Sequence, residues 1–296
     1  IVLVLAGVIV SNSTKAEVDA ATTSVPSITS ISGGDVHTCA TDSTNQLYCW
    51  GDGSNGQLGL PIMGSRYSAV AVPDVKDATA AALGDVHTCV LLVDKTVKCW
   101  GYNGSGQVGS GSRTMSAGPS LAVGVVGATS IDAGKDHTCA LLATGQISCW
   151  GDGSSGQVGD LTFGSQPTPS IVCCISNAIA ITAGGQHSCA IVADTSAVCW
   201  GDNTVGQLGD GTSTNRNQAT AVTGLTGLSA IAAGNSHTCA LTATGRVFCW
   251  GKNSSGQLGD GTTTNRATPV EVSGITSAAA ISAGASHTCA LMTSKA

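Results

Sequence analysis

Each of the six histidines in this chain stands two residues before a cysteine, and in five cases a second cysteine follows ten residues after the first. Imidazole and thiolate are ligands that zinc prefers, so a metal site is one chemistry this set could support. A disulfide between the two cysteines is another, and reduced structural thiols are a third. Zinc needs a fourth ligand, which does not recur here, and the usual Cys-x-x-Cys pair is missing from the units. The pattern therefore favours the disulfide.

A tight turn between the two cysteines of a unit determines that they lie opposite each other. In the third unit the turn is Ala143 to Gln146, and Gly145 is free to adopt a positive φ. Folding the chain about Thr144 places Cys139 opposite Cys149, at the ~4.5–5.5 Å Cα separation of opposed strand residues. Disulfides adopt roughly 4.4–6.8 Å. We predict the hairpin disulfides Cys39–Cys49, Cys89–Cys99, Cys139–Cys149, Cys189–Cys199 and Cys239–Cys249.

Three further cysteines stand outside this pattern. Cys289 occupies the first hairpin position of a sixth unit, and the printed sequence contains no partner for it before Ala296. Cys173 and Cys174 are adjacent and interrupt the pattern once. They could bond to each other, pair with Cys289, or reach another chain, and the sequence leaves these alternatives open.

The elements that must position these residues recur every 50 residues without insertion or deletion. Each unit contains short apolar runs bounded by small polar residues, such as 128–134, 137–143 and 146–151, which indicate strands. A fourth candidate strand, such as 269–274, precedes each unit. This period and strand pattern predict an all-β fold, a β-propeller of about six four-stranded blades with five full units and a partial sixth. Residues 28–296 form this propeller, and residues 1–27 a separate apolar segment.

Other residue types share the period and are expected to be structural. We expect the tryptophans to pack between blades, the glutamines of the Gly-Gln-Leu/Val-Gly loops to join adjacent blades by side-chain hydrogen bonds, and each histidine ring nitrogen to satisfy a buried backbone group. These sets are Trp50, Trp100, Trp150, Trp200 and Trp250; Gln57, Gln107, Gln157, Gln207 and Gln257; and His37, His87, His137, His187, His237 and His287.

The units resemble the repeats of the regulator of chromosome condensation family, in the cysteine-containing form seen in bacterial secreted proteins. The resemblance lies in the Gly-x-x-His-Thr-Cys-Ala-Leu stretch, the Cys-Trp-Gly triplet and the Gly-Gln-Leu-Gly loop, as in residues 233–262, and it covers about residues 28–296. It implies a β-propeller, usually of seven blades. The founding member exchanges guanine nucleotide on a small GTPase in the nucleus. We find no match to the loop residues that exchange requires, so we expect no small GTPase partner.

Composition bears on compartment and partners. The net charge is −6, with only 12 Lys and Arg, so we expect no nucleic-acid partner. Aromatic residues are only 3% of the chain, which leaves a thin core that disulfides would reinforce by somewhat under ~3 kcal/mol each. Because disulfides belong to oxidising compartments, we predict an extracellular or cell-surface location.

Residues 1–27 begin with an apolar run that has three interpretations. It is the tail of a signal peptide cut after Ala20, an element that packs on the protein's own propeller, or an element that joins subunits. We predict assembly with a neighbouring copy. The residues that would mediate it are Ile1, Val2, Leu3, Val4, Leu5, Val8, Ile9 and Val10.

No catalytic constellation stands out in the sequence. A repeated residue is a poor catalytic candidate because a catalytic site brings several different groups to one point, and the unique residues Arg113, Lys135 and Asp136 form no triad or carboxylate pair. We therefore expect no enzyme activity and no cofactor. The sequence predicts a non-enzymatic extracellular structural or adhesive subunit that assembles with copies of itself, as in a pilus-like filament. The alternative is a secreted recognition module for a glycan, peptide or protein.

Three sequons permit glycosylation of such a protein. They place candidate acceptor amides at Asn12, Asn103 and Asn253.

Overall fold

The computed structural model describes residues 27–293, and all of its regular elements there are β-strands. They form five four-stranded antiparallel sheets and one two-stranded sheet, each with its strands in chain order. This confirms the predicted β-propeller, with five full blades and part of a sixth. Residues 27–293 include no helical segment with the length and apolarity that a bilayer crossing requires.

The first three blades have strands of five or six residues each. The first contains β1 (Ile28–Gly33), β2 (His37–Asp42), β3 (Leu47–Gly51) and β4 (Arg66–Ala71). The second contains β5 (Ala78–Leu83), β6 (His87–Leu92), β7 (Val97–Gly101) and β8 (Ser116–Leu121). The third contains β9 (Ala128–Ala133), β10 (His137–Leu142), β11 (Ile147–Gly151) and β12 (Gln166–Ile171).

The remaining blades repeat these bounds. The fourth contains β13 (Ala178–Ala183), β14 (His187–Val192), β15 (Ala197–Gly201) and β16 (Arg216–Ala221). The fifth contains β17 (Leu228–Ala233), β18 (His237–Thr242), β19 (Val247–Gly251) and β20 (Arg266–Glu271). The sixth sheet contains β21 (Ala278–Ala283) and β22 (Thr288–Met292).

Burial explains the hydrophobic pattern of the strands. Every residue of β6 is buried, as consecutive apolar positions require when a sheet is covered on both faces. The outermost strand of the same blade, β8, has no buried residue. The apolar core therefore lies between successive sheets. Trp100, for example, packs against Cys49, Leu58 and Val72 of the preceding blade.

The hairpins have the register that the cysteine spacing predicts. Cys139 lies directly opposite Cys149 and is disulfide-bonded to it, with the Cα atoms 4.1 Å apart. The other four predicted pairs are joined in the same way, with Cα separations of 4.0–4.1 Å. Gly145 adopts the expected positive φ of 79°, and Lys95 holds the same turn position at 68° without being glycine.

The six innermost strands surround a central channel. Each packs against the innermost strand of the next blade, from β1 with β5 to β17 with β21, and no comparable packing joins β21 to β1 within the described part of the chain. Residues 1–26 and 294–296 lie outside that part. The division of the chain at residues 27 and 28 therefore stays a prediction.

Candidate functional site

The repeated histidines join neighbouring blades through a hydroxyl group. His37 Nε2 lies 2.7 Å from Thr88 Oγ1, and Thr88 Oγ1 donates to the backbone carbonyl of Gln57 at 2.7 Å. A threonine hydroxyl has one proton, which this carbonyl accepts, so the hydroxyl must accept a proton from the histidine. The proton of the neutral ring therefore sits on Nε2. The same contact links His87 to Thr138, His137 to Ser188, His187 to Thr238 and His237 to Thr288.

This tautomer leaves Nδ1 as a bare acceptor. The Nδ1 atoms of all five histidines are buried and have no hydrogen-bond partner. Burial lowers the pKa of His137 to about 4. Burial, together with the neighbouring rings of His37 and His137, lowers the pKa of His87 to about 3. The rings are therefore neutral at physiological pH. We expected each ring to bond a backbone group directly, whereas the bond runs through the hydroxyl of the next blade.

The tryptophan and glutamine of each unit complete the link between blades. The indole Nε1 of Trp100 donates to the Gln57 carbonyl at 2.9 Å, so that carbonyl accepts two hydrogen bonds from the next blade. The side chain of Gln57 stays in its own loop, where it accepts from the Asn55 backbone and donates to Asp52. The backbone of the glutamine, rather than its side chain as predicted, therefore joins the blades in this unit.

The disulfides leave none of the ten hairpin cysteines as a free thiolate. Cys39 and Cys49 are completely buried and bonded to each other, and the same holds for the other hairpin pairs. Residues 27–293 contain no group of three or more His, Cys, Asp or Glu side chains that could hold a metal ion.

Among the described residues, Asp132 is the ionisable side chain on the wall of the central channel, and Asp35, Asp85 and Lys135 line the adjoining pocket. The channel has a volume of about 420 Å³, and Asp132 lines it where other blades place serine, threonine or alanine. Its Oδ2 accepts from the Ala183 backbone at 2.8 Å, and burial raises the pKa of its carboxyl group. A single carboxyl group without a second titratable partner does not form a general acid–base pair.

The two ends of the propeller differ in the length of their connections. Because the strands of a sheet are antiparallel, the connections from each third to each fourth strand emerge at the same end. We call this end the loop face. Its connections are residues 52–65, 102–115, 152–165, 202–215 and 252–265.

The loop face is polar in its last two complete blades. Asp210 pairs with Arg216 at 2.8 Å, and Asp260 pairs with Arg266 at 2.8 Å. The Arg266 guanidinium also contributes to a hydrogen-bond set, led by Thr262, that lowers the pKa of Asp260 to about 2.

The first three blades instead expose apolar side chains on the loop face. Ile62 is 74% exposed on the first connection, and Leu161 and Phe163 are each 54% exposed on the third. On the second connection Tyr102 and Met115 are each 42% exposed. Tyr67, the second residue of β4 directly after the first connection, is fully exposed. Neighbouring connections touch, because Arg113 donates to the Ser165 carbonyl at 2.9 Å. We did not identify these residues from the sequence. Residues 210–216 and 260–266 share the pattern Asp-Gly-Thr-x-Thr-Asn-Arg. The connections of the first three blades depart from this pattern, and that departure could have identified the exposed apolar residues.

The predicted glycosylation of Asn103 and Asn253 is wrong. Both residues are completely buried. Asn103 Nδ2 donates to the carbonyls of Ser112 and Thr114 at 2.9 Å, so the amide closes its own loop and cannot meet a transferase. Asn253 makes the matching bonds to Thr262 and Thr264. Asn12 and the proposed assembly residues 1–10 lie outside the described residues.

The structure separates the three additional cysteines. Cys173 and Cys174 are bonded to each other in the turn between β12 and β13, and Cys289 is an exposed free cysteine on β22. Cys174 has a φ of 72°, at the turn position that Gly224 and Gly274 occupy in other blades.

Solved structures with the same fold come from several eukaryotes. Human WBSCR16 is 23% identical, with a TM-score of 0.82 over 90% of this chain and 72% of its own. Prp20p from Saccharomyces cerevisiae, described with its binding to Gsp1p and histones, is 18% identical, with a TM-score of 0.79 over 91% of this chain and 70% of its own. The ectodomain of the Physcomitrella patens receptor kinase CR4 is 23% identical, with a TM-score of 0.59 over 91% of this chain and 59% of its own. Among curated proteins, none matches the sequence significantly.

These relatives correct three predictions. An extracellular, pilus-like or adhesive subunit is wrong, because the compared structures with the higher TM-scores are the eukaryotic RCC1-like proteins WBSCR16 and Prp20p, and Prp20p is described by its binding to Gsp1p and histones. The extracellular location is wrong for the same reason. The cysteine pairs alone do not establish an oxidising compartment. The exclusion of a small GTPase partner is also wrong, since Prp20p binds Gsp1p and histones and has been solved with Kap60. None of these structures supports the bacterial origin that the cysteine pattern suggested.

Sequence similarity to a whole-domain family agrees with the fold. The family model of the RCC1-like domain matches residues 7–296. The repeated His-x-Cys hairpins, the Cys-Trp-Gly triplets and the blade topology all lie within that match. The chain belongs to the RCC1-like domain family, as the repeat motifs indicated.

Proposed function

We propose that this protein is a regulator that binds a small GTPase on its loop face and acts by holding a conformation of that partner, without making or breaking a covalent bond itself. One observation carries the proposal. The first three blades expose apolar and aromatic side chains on the loop face, where the fourth and fifth blades have buried ion-paired carboxylates.

Exposed aromatic side chains are costly unless a partner covers them. Tyr67 and Phe163 have the size and stiffness of residues that anchor protein interfaces, where aromatic side chains are enriched. Ile62 and Leu161 supply further exposed apolar area on the same two connections. A contiguous apolar surface rimmed by polar residues is typical of a protein-binding site.

The class of the partner is taken from a relative. Prp20p has the same fold and binds Gsp1p, and the repeats of this chain belong to the same family. Exchange factors of this family act on a bound nucleotide by binding the GTPase, so they need no catalytic group of their own. The repeated histidines agree with such a mechanism, since they are buried and neutral and their Nε2 protons are bonded to hydroxyl groups of the next blade.

The test measures binding and nucleotide release together. A Ran-type GTPase loaded with fluorescent GDP is titrated with the full chain, and we expect saturable binding and faster release. The double substitution Tyr67→Ser and Phe163→Ser should weaken binding at least about tenfold, which corresponds to ~1.4 kcal/mol. Val126→Ser is the matched control, because Val126 is 74% exposed on the connection at the opposite end of the blades.

Each outcome bears on a different part of the proposal. Binding that the double substitution leaves unchanged would contradict the loop face as the interface. Absence of binding to the GTPase, with the fold intact by circular dichroism, would contradict the partner class. Binding without faster nucleotide release would leave a GTPase-binding regulator and exclude exchange.

A further inference from the structure

The third connection of the loop face places a leucine in a backbone conformation that favours glycine. Leu161 has a φ of 70°, whereas the matching residues of the second, fourth and fifth blades are Gly111, Gly211 and Gly261, with φ values of 79–83°. At positive φ the Cβ atom of an L-residue lies too close to the following carbonyl oxygen. Leu161 therefore occupies a position where its own side chain strains the backbone.

Packing within the fold does not account for this leucine. Leu161 is 54% exposed. A β-carbon added at Gly211 would lie 3.8 Å from Thr268 Cγ2, an ordinary contact, and one added at Gly261 would have no described atom within 4 Å. The space around this position is open in the matching connections. A strained residue that buries little of its side chain is typical of a functional position.

Asn217 of the fourth blade holds both polar groups of the Leu161 backbone. The Leu161 N–H donates to the Asn217 carbonyl at 2.9 Å, and Asn217 Nδ2 donates to the Leu161 carbonyl at 2.8 Å. In the second and fourth connections the matching N–H donates to the carbonyl of Pro167 or Ala267 at 2.9 Å. Neither of those residues has a side-chain donor, so the second bond distinguishes the connection that contains Leu161.

The residues on either side of Leu161 are fixed by bonds within the loop. Asp160 Oδ1 accepts from the Thr162 backbone at 3.1 Å and from its hydroxyl at 2.7 Å, and Asp160 Oδ2 accepts from Gln166 Nε2 at 2.6 Å. The Leu161 backbone is therefore ordered before any partner arrives. A side chain presented in this way loses less conformational entropy on binding, which raises affinity.

We propose that Leu161 is the apolar anchor by which the loop face engages the small GTPase, and that Asn217 is the positioning residue that orders it. The GTPase presents an apolar pocket that receives the Leu161 side chain, and Phe163 adds exposed contact area on the same connection. This inference rests on the GTPase binding proposed above and names the residue on which that binding depends.

Two substitutions at position 161 separate recognition from strain. Leu161→Gly and Leu161→Ala both remove the branched side chain, so each should weaken GTPase binding at least about tenfold, which corresponds to ~1.4 kcal/mol. Glycine alone relieves the backbone, so Leu161→Gly should melt about 1–3 °C above Leu161→Ala. Wild-type affinity of Leu161→Gly would overturn the anchor role, and equal melting temperatures of the two variants would overturn the strain.

The melting temperatures also test whether Leu161 is available to a partner. A fall of more than about 5 °C from the wild-type value in both variants would show that Leu161 is packed within the protein itself, and would overturn the proposal. Lys95→Gly is the matched control. Lys95 has a φ of 68° on an exposed turn at the opposite end of the blades, so its replacement relieves similar strain and should leave GTPase binding unchanged.

A double-mutant cycle tests the positioning role of Asn217. Asn217→Ala keeps the bond from the Leu161 N–H, which ends on a backbone carbonyl, and removes the bond from the side chain. It should weaken GTPase binding about threefold in the wild-type background and leave it unchanged in the Leu161→Gly background, where the side chain to be positioned is absent. A threefold loss in both backgrounds would overturn the positioning role.

The same titrations distinguish this inference from the proposed function. Failure of the wild-type chain to bind the GTPase would contradict the proposed function and the inference together. Wild-type binding that Leu161→Gly retains in full would contradict the inference alone.

Discussion

Mild acid should destabilise this propeller, because its inter-blade histidines are neutral in the folded state and become protonated when the chain unfolds. Burial is the main cause that lowers the pKa of His37, His137 and His237 to about 4 and of His87 and His187 to about 3. In the unfolded chain a histidine has a pKa of about 6.5. The unfolded state therefore binds more protons than the folded state below pH 6.5, and stability falls as the pH falls from 6.5 towards 4.

The magnitude follows from these pKa values. One pKa unit corresponds to about 1.4 kcal/mol, so at pH 5 each histidine costs about 2 kcal/mol of unfolding free energy relative to pH 7.5. Five such groups would together cost about 10 kcal/mol, which is comparable to the whole stability of ~5–15 kcal/mol of a typical domain. The exposed carboxylates with lowered pKa values, such as Asp94 and Asp194, lose their contribution only at lower pH. Buried Asp132, whose pKa is raised, takes up a proton more readily in the folded state and offsets part of the histidine loss as the pH falls.

Urea unfolding between pH 7.5 and pH 5 measures this loss, with the disulfides kept intact. His137→Gln is the informative variant, because glutamine can donate to Ser188 but does not titrate, and its pH dependence should be weaker by about 2 kcal/mol over this interval. An unfolding free energy that stays level from pH 7.5 to pH 5 would refute the reasoning. A Cε1 proton resonance assigned to one of the five inter-blade histidines that titrates near pH 6.5 in the folded protein would also refute it.

Two further predictions concern packing and thiol access. Gly84→Ala should destabilise the protein by about 1–3 kcal/mol in thermal or urea unfolding, because the added methyl group would overlap the His87 ring. Gly118→Ala is its control, since nothing lies within 4 Å of its added carbon, and an equal loss there would show that the His87 contact is not the cause. Limited reduction followed by alkylation and mass spectrometry should label Cys173 and Cys174 before any hairpin cysteine, because Cys174 is exposed and the hairpin sulfurs are buried. Simultaneous release of all the pairs would contradict the difference in access.

The parts of the fold that the sequence predicts are those set by short-range geometry. The ten-residue spacing of Cys139 and Cys149 and the turn at Gly145 determine a hairpin register that no distant contact alters. The 50-residue period then repeats that hairpin along the chain. Blade number and strand order follow from these two observations.

The contacts that the sequence does not reveal join residues from different blades. His137 bonds Ser188, which stands 51 residues further along the chain, and nothing local to His137 specifies a hydroxyl partner or the ring tautomer. Asn103 looks like an exposed sequon in the sequence and is buried in the structure, because its loop folds around the amide. A short sequence motif does not show whether its asparagine side chain is buried inside its own loop.

Repeated and non-repeated positions of this propeller differ in what they can contribute to partner binding. The repeated histidine is the residue that a catalytic interpretation would select first. Its ring proton, however, is bonded to a hydroxyl whose own proton is held by a backbone carbonyl. Protonation of its other nitrogen would place an unpaired charge in the interface between blades. Repeated positions in this propeller are therefore constrained by assembly of the ring. Positions that break the repeat have no such constraint. Phe163 is 54% exposed on its connection, and the matching position of the next blade is the exposed polar residue Ser213. Selection for a partner can act on Phe163 without cost to the fold, which is why we assign recognition to the irregular loops rather than to the conserved pattern of the repeat itself.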